Sequence, residues 1–519
     1  MTSIKILWVD DEIELLKSHF LFLEQRGYQT TPCNNGQDAL SLIKKNSFDV
    51  VLLDENMPGL SGLDTLNELK IILPNLPVIM ITKNEEEQIM EEAIGAKISD
   101  YLIKPVNPHQ ILLALKKLFQ HKNLIAEKTI SNYQQEFRKI SLELNEIETA
   151  KDWTAFYLKM TYWEMELQTL EDNGMLEIFE EQMKEANHLF SKFIAQNYKN
   201  WMMNDEGPTM SHQLFKERLF PKILPGTKDT TLLLVIDNLR YDQWKMIAPV
   251  IENYYVAKEE TTYFSLLPTA THYCRNALFS GLTPLEMKEK HPDLWVNENE
   301  ERGKNLKESE FLQAQLTRLN KDIPFSYVKV TNLKAGKELH KYLQNYSKDR
   351  LLVVVYNFVD MISHAKTEMD IIKELAPDNK AFRSLTLSWF ENSPLLDIIQ
   401  KSQKLGFKLA ITTDHGTINV DQATEIISTK DAGTNLRYKT GRNVSHNSKD
   451  IIEVANPEEF MLPVEHLNSK FIFAKGSQYF VFQNNFNHFA THFRNTFQHG
   501  GVSMEEMIVP FVVMTPRES

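Results

Sequence analysis

Residues 52–62 read LLDENMPGLSG, an apolar run that ends on a carboxylate, Asp54, and passes straight into turn formers. Asp49–Leu53 has the unbroken hydrophobicity of a short strand buried on both faces. Outward from it, Ile4–Val9, Pro77–Ile81 and Asp100–Ile103 repeat the pattern. Helical spacing lies between them, as in Ile13–Arg26, which stops at Gly27, and Pro108–Phe119 closes the unit. Strands alternating with helices predict a parallel sheet covered on both faces over residues 1–120.

The ends of these strands carry chemistry. Asp10 and Asp11 follow the first, Asp54 ends the next, Thr82 ends the third, and Lys104-Pro105 follows the fourth. Carboxylates converging at strand ends make a hard oxygen site suited to Mg2+. One of them can attack a phosphoryl group once a metal neutralises charge. The lysine can pair with the transferred oxygens and the threonine hydroxyl can bond to them, so that the phosphate biases a two-state surface. Taken together these residues resemble the receiver domain of response regulators across essentially all of residues 1–120. The resemblance implies a flavodoxin-like fold, Asp54 as phosphoacceptor, and Asp10, Asp11 and Asp54 as magnesium ligands. It also implies Thr82 and Tyr101 as the switch pair, Lys104 as the phosphate-pairing lysine, a sensor histidine kinase as phosphodonor, and self-association into a dimer on phosphorylation.

Residues 121–205 change character: they lack proline, are rich in Glu, Lys, Leu and aromatics, and show helical periodicity in at least three segments, with Gly174 as punctuation. They are expected to form a helical bundle ending near Asp205-Glu206-Gly207-Pro208. From 206 to 519 strand signals return at Thr231–Ile236, Leu351–Tyr356 and Lys408–Ile411, each followed by acidic or histidine residues. In open α/β sheets, ligand chemistry gathers outside the carboxyl ends of the strands.

Five segments carry that chemistry: Asp237 after the first of these strands, Pro268-Thr269-Ala270-Thr271, Asp360 to His364, Thr413-Asp414-His415-Gly416, and Gln498-His499-Gly500-Gly501. Each alone reads as easily as a turn with a surface histidine. Carboxylates and imidazoles together suit zinc or a similar borderline ion. Three Asp, three His and a Thr hydroxyl can serve two adjacent ions, and such pairs, about 3.5–4 Å apart, clamp the oxygens of an in-line displacement. A threonine entering a helix also sits where backbone N–H groups favour phosphate. This stretch, and above all its closing HGGVSMEEMIVP, resembles a PglZ-type domain of the alkaline phosphatase superfamily. The resemblance implies two Zn2+, with Mn2+ as the alternative: Asp360, His364 and His499 on one ion, and Asp237, Asp414 and His415 on the other. Thr271 would be ligand and nucleophile, with Thr269 as its competitor. Thr271-His272-Tyr273-Cys274-Arg275 lacks the Cys/Ser-x-Pro-x-Arg pattern of sulfatases, which leaves phosphomonoesterase and, as the expected activity, phosphodiesterase. Arg437 and Lys439, flanking Tyr438 in a loop running to Asn443, are candidate substrate contacts.

Composition narrows the classes. Two cysteines in 519 residues exclude a disulfide scaffold, and a net charge of −13 argues against general DNA binding. No signal peptide or membrane span is read, and a cytoplasmic protein is expected. The whole is expected to be multidomain α/β: flavodoxin-like receiver, α-helical bundle, alkaline-phosphatase-like domain. That order resembles the PorX group of response regulators. The resemblance implies regulation of type IX secretion and gliding, hydrolysis of small phosphodiesters or oligonucleotides, and a sigma factor or secretion component as partner. The rival expectation is a catalytically silent, zinc-stabilised scaffold that binds such a partner when phosphorylated.

Overall fold

The computed structural model describes residues 4–83, 98–170, 174–204, 206–223, 229–298, 300, 303–427, 433–442, 444–446, 451–464, 466 and 468–518. The side chains of 120–127, 364–366, 368 and 370–372 lie outside that description, as do Asp205 and Asn443. The chain divides into two compact units, Met1–Asn132 and Tyr133–Ser519.

In the first unit β1 (Ile4–Val9), β2 (Tyr28–Cys33), β3 (Val50–Asp54), β4 (Val78–Thr82) and β5 (Asp100–Ile103) form a sheet of order β2-β1-β3-β4-β5. Every pairing in it is parallel. Alternate residues of each strand feed opposite faces: Leu7, Val9, Val51 and Leu53 enter one core, Ile6, Trp8, Val50 and Leu52 the other. That two-sided burial is why the strands read as unbroken apolar runs. Among the described residues the α-helices are α1 (Lys17–Glu24), α2 (Gly36–Lys45), α3 (Gly62–Ile72) and α4 (Pro108–Glu146). Asn35 and Ser61 cap α2 and α3 by accepting from the N–H groups of Asp38 and Asp64. The helix expected over 13–26 begins as a 3-10 turn, Ile13–Leu16, and α4 runs well beyond Phe119, because no proline or glycine interrupts it. Strands β3 and β4 extend one residue further than read, so that Asp54 and Thr82 are themselves the last strand residues.

In the second unit α5 (Ala150–Leu167) and α6 (Gly174–Asn204) pack against an α/β core. Its sheet, of order β7-β11-β10-β6-β9-β8, is built from β6 (Thr231–Ile236), β7 (Tyr255–Phe264), β8 (Phe325–Val330), β9 (Leu351–Tyr356), β10 (Lys408–Thr412) and β11 (Ile508–Pro516). The four strands β10, β6, β9 and β8 are parallel, and β11 and β7 continue antiparallel. Between β10 and β11 the described residues form one two-stranded and two three-stranded sheets. The helices α7 (Tyr241–Glu252), α8 (Thr271–Ser280) and α9 (Phe358–Glu368) start close to the C-terminal ends of β6, β7 and β9. The linker helices share this unit's interior. Trp201 of α6 packs edge-on to Phe264 at 5.8 Å, and Glu164 of α5 accepts from Arg383 at 3.2 Å and Asn379 at 2.8 Å.

Candidate active site

Asp237 leaves β6 and Asp414-His415 leaves β10, two strands hydrogen-bonded side by side, so their carboxyl ends deliver both segments to one place. Asp237, Asp414 and His415 are buried and offer ligand atoms all within 4.8 Å of one another. Thr271, the first residue of α8, faces them. Its Oγ1 lies 3.0 Å from His415 Nε2 and 3.5 Å from Asp237 Oδ1. A methyl group on Gly416 would come within 2.0 Å of the Glu505 carbonyl oxygen, so the turn after His415 admits only glycine.

The second set gathers alongside. His499 Nε2 lies 3.7 Å from Asp360 Oδ1 in α9, and the rings of His499 and His415 stack at 4.3 Å. His364 is on the same helix as Asp360, but its side chain lies outside the described residues. Gly500, at φ 121°, takes the backbone out of the region open to other residues just after His499.

Both sets have donors that could hold a metal. His415 Nδ1 sits 3.0 Å from the Gly416 carbonyl oxygen and His499 Nδ1 3.1 Å from that of Thr269, so each Nδ1 carries the proton. Both Nε2 lone pairs then point inward, as ligating histidines require. Asp414 Oδ2 is buried without a hydrogen-bond partner, as a carboxylate oxygen reserved for a cation would be. Burial, with Asp414 beside it, pushes the Asp237 carboxyl up to about 6, even though Arg275 draws it down.

Several residues that hold this geometry carry no motif. Asn238, at φ 64°, donates from its backbone to Asp414 Oδ1 at 3.3 Å and from its amide to Asp360 Oδ1 at 3.4 Å, tying the two sets together. Arg275, fully buried one helical turn beyond Thr271, places Nη2 3.0 Å from Asp237 Oδ2 and Nε 3.6 Å from Asp414 Oδ2. Glu506 accepts from Gly501 N at 2.9 Å and Ser503 Oγ at 2.8 Å. The left-handed asparagine directly after a strand-end aspartate is the one sequence signal that marks Asn238.

Thr269 is committed elsewhere: its hydroxyl donates to the Gly501 carbonyl oxygen at 2.8 Å and accepts from Gly500 N at 3.0 Å. Arg437 and Lys439 are not exposed loop cations. Arg437 is wholly buried, with Nη2 2.5 Å from Glu506 Oε2 and Nη1 on the Gln478 carbonyl oxygen. Lys439 donates to the Gly433 carbonyl oxygen at 2.8 Å beneath the ring of Phe482. Both read as internal struts, because Tyr438–Gly441 is a strand against Lys470–Ala474 rather than a loop.

In the first unit Asp10, Asp11 and Asp54 bring ligand atoms within 4.8 Å. Lys104 Nζ lies 2.8 Å from Asp10 Oδ2 and 3.0 Å from Asp54 Oδ2. Burial pushes the Asp54 carboxyl up, against the pull of Lys104. Its Oδ1 has no hydrogen-bond partner, which suits a metal or an incoming phosphoryl group. Thr82 is buried at the end of β4 and Tyr101 is exposed on β5.

Residues 214–514, more than half of the chain, match the family described as the BREX system PglZ alkaline phosphatase-like domain. The chain belongs to the PglZ alkaline phosphatase-like family. Residues 123–202 match the PorX response regulator linker domain and residues 6–116 the response regulator receiver domain, so this PglZ protein has the PorX-type architecture. Curated relatives match in part. The alginate biosynthesis transcriptional regulatory protein AlgB of Pseudomonas putida is 34% identical over 122 residues, 24% of this chain and 27% of its own. The transcriptional regulatory protein ZraR of Escherichia coli K12 is 33% identical over 127 residues, 24% of this chain and 29% of its own. The PglZ chain thus spans little more than a quarter of these relatives' length. Among solved structures, chemotaxis protein CheY4 of Vibrio cholerae aligns at 28% identity over 22% of this chain and 97% of its own, with a TM-score of 0.21. A receiver domain protein from Clostridium thermocellum aligns at 32% identity over 23% and 98%, with a TM-score of 0.22.

Proposed function

We propose that this response regulator, phosphorylated on Asp54 by a histidine kinase, controls a two-zinc phosphodiesterase in its PglZ domain. Its substrates are small phosphodiesters or oligonucleotides, and its regulatory role is in type IX secretion and gliding, as in the PorX group it resembles. The observation that carries the reading is the Thr271 hydroxyl at the start of α8, 3.0 Å from a histidine Nε2 inside a buried carboxylate cluster. A structural metal site has no need of an open nucleophile position.

Asp237, Asp414, His415 and Thr271 would hold one ion, and Asp360, His499 and His364 the other. Bound divalent ions supply the charge that stabilises attacking and leaving oxygens of an in-line displacement. The chain's own residues do the rest. Asp237 and His415 aim the Thr271 oxygen, and its position at the start of α8 puts backbone N–H groups beside the incoming phosphate. Gly416 and Thr269 fix the tautomers of His415 and His499, so neither can hand its Nδ1 proton to the reaction. Arg275 offsets part of the charge of Asp237 and Asp414 from behind. In the receiver, Lys104 already spans Asp10 and Asp54 and stands ready to pair with a phosphoryl group on Asp54.

The test is hydrolysis of a chromogenic phosphodiester and the matching monoester by metal-loaded protein, with and without an aspartyl-phosphate mimic. The diester is expected to turn over faster than the monoester, and Thr271→Val to lower kcat by at least about 10³-fold, as losing a nucleophile does. No turnover of either ester, with metal shown to be bound, would replace the enzyme by a zinc-stabilised signalling scaffold.

A further inference from the structure

The loops that carry the site converge on one short turn, Ser503 to Met507, immediately before β11. Glu506 O accepts from Gly416 N at 3.0 Å, fixing the loop of Asp414 and His415. The Glu506 carboxylate accepts from Gly501 N at 2.9 Å and lies 3.3 Å from Thr269 Oγ1, fixing the His499 loop and the approach to Thr271. Met507 O accepts from Ser265 N at 2.8 Å, fixing the start of that approach. A shift of this turn would therefore move Thr271, His415 and His499 together.

The turn is held by the linker. Asn187 of α6 accepts from Met504 N at 2.9 Å through Oδ1 and donates through Nδ2 to both Glu505 oxygens, at 3.2 and 3.0 Å. Three turns along the same helix, Tyr198 OH accepts from Leu267 N at 2.8 Å, and between them Ser191 Oγ lies 3.2 Å from Val502 O. All three linker side chains are buried, so these bonds meet no competition from water. An asparagine is the right group for this place, since it supplies the acceptor that a turn N–H needs and the donor that a buried carboxylate needs.

We propose that Asn187, in the linker rather than the hydrolase domain, is a positioning residue of the metal site and acts through the Ser503–Met507 turn. It touches neither substrate nor ligand-bearing side chains. The proposal rests on the two-metal phosphoesterase reading, its zinc arm on the metal site and its activity arm on the hydrolysis.

The full chain is compared with Asn187→Leu, Asn187→Asp and the exchange pair Asn187→Asp with Glu505→Gln. Zinc affinity is measured by chelator competition, and kcat and KM on the diester, below the melting temperature of every variant. Asn187→Leu is expected to lose about 10–100-fold in zinc affinity, the range for residues supporting metal ligands, and to lower kcat with KM unchanged. Asn187→Asp, which sets two carboxylates together, should be at least as impaired. The exchange pair, which restores one donor and the acceptors in reversed order, should return both quantities to within about threefold of wild type. Folded Asn187→Leu with wild-type zinc affinity and kcat would overturn the proposal. If that variant does not fold, the exchange pair decides: failure to restore what Asn187→Asp loses would overturn it equally. If even wild type turns over neither ester, the phosphoesterase reading fails while the zinc arm still judges Asn187.

Discussion

Asp237, Asp360, Asp414, His415 and His499 stand where strands and helices end, and residue types that ligate metals announce themselves at such places in the sequence. Their supports do not. Arg275 is a polar residue whose importance comes from burial beside charges that arrive from far along the chain, and no local pattern encodes that. Arg437 and Lys439 show the reverse, since cations around a tyrosine look like a binding loop until the strand pairing takes them inside. Arg437→Met would remove the buried cation paired with Glu506, and should destabilise the second unit by about 3–5 kcal/mol in denaturant titration. The exposed pair Lys307–Glu310 should contribute under about 1 kcal/mol when broken. Lys439 offers a pH test. Burial holds its ammonium down at about 8, against the pull of Glu298, where an unfolded lysine titrates near 10.5. The folded state thus bears a full cost for the charged form below pH 8, and that cost fades as pH rises from 8 to 10.5. Stability contributed by this group should climb across that window, on the order of 2–3 kcal/mol, and the climb should vanish in Lys439→Met.

The central parallel strands were readable because both faces of each are covered, which leaves a run made mostly of Val, Ile and Leu. Among the sheet strands β2, β7, β8 and β11 escaped, and β2 and β11 did so for opposite reasons. β2 is an edge strand with Gln29, Thr30, Thr31 and Pro32, half exposed and compatible with a loop. β11 is apolar enough to be noticed, but its first three residues sit inside the closing motif and the strand pairs antiparallel, outside the alternating scheme that organised the rest. The turns between strands are where substitution should bite. In Gly416→Ala the new methyl would meet the Glu505 carbonyl oxygen at 2.0 Å, backbone against backbone. Neither side is a flexible side chain, so the loop of Asp414 and His415 must move. A loss of about 2 kcal/mol or more is expected, read as a lower melting temperature, together with weaker zinc binding by chelator competition. Normal zinc affinity in that variant would show that the loop tolerates displacement.

Two compact units within one chain should unfold as two transitions in calorimetry. An aspartyl-phosphate mimic with Mg2+ should raise the transition of Met1–Asn132 alone, by about 2.7 kcal/mol of stability at a hundred times its Kd. A zinc chelator should lower only the other. The linker helices should melt with the hydrolase, since Trp153, Tyr157, Phe190 and Tyr198 are buried in the same unit. From sequence the helices were visible and their allegiance was not, because aromatic spacing shows that a helix has a buried face without naming what covers it. That allegiance bears on how such proteins can be recombined. A gene fusion that gives this PglZ domain a new sensor would have to be spliced ahead of Tyr133, for a junction at the Gly207-Pro208 punctuation would strip Asn187 and Tyr198 from the cassette. The heritable module of this protein is therefore longer than its matched PglZ domain, and shuffling that respects only the latter should yield inert offspring.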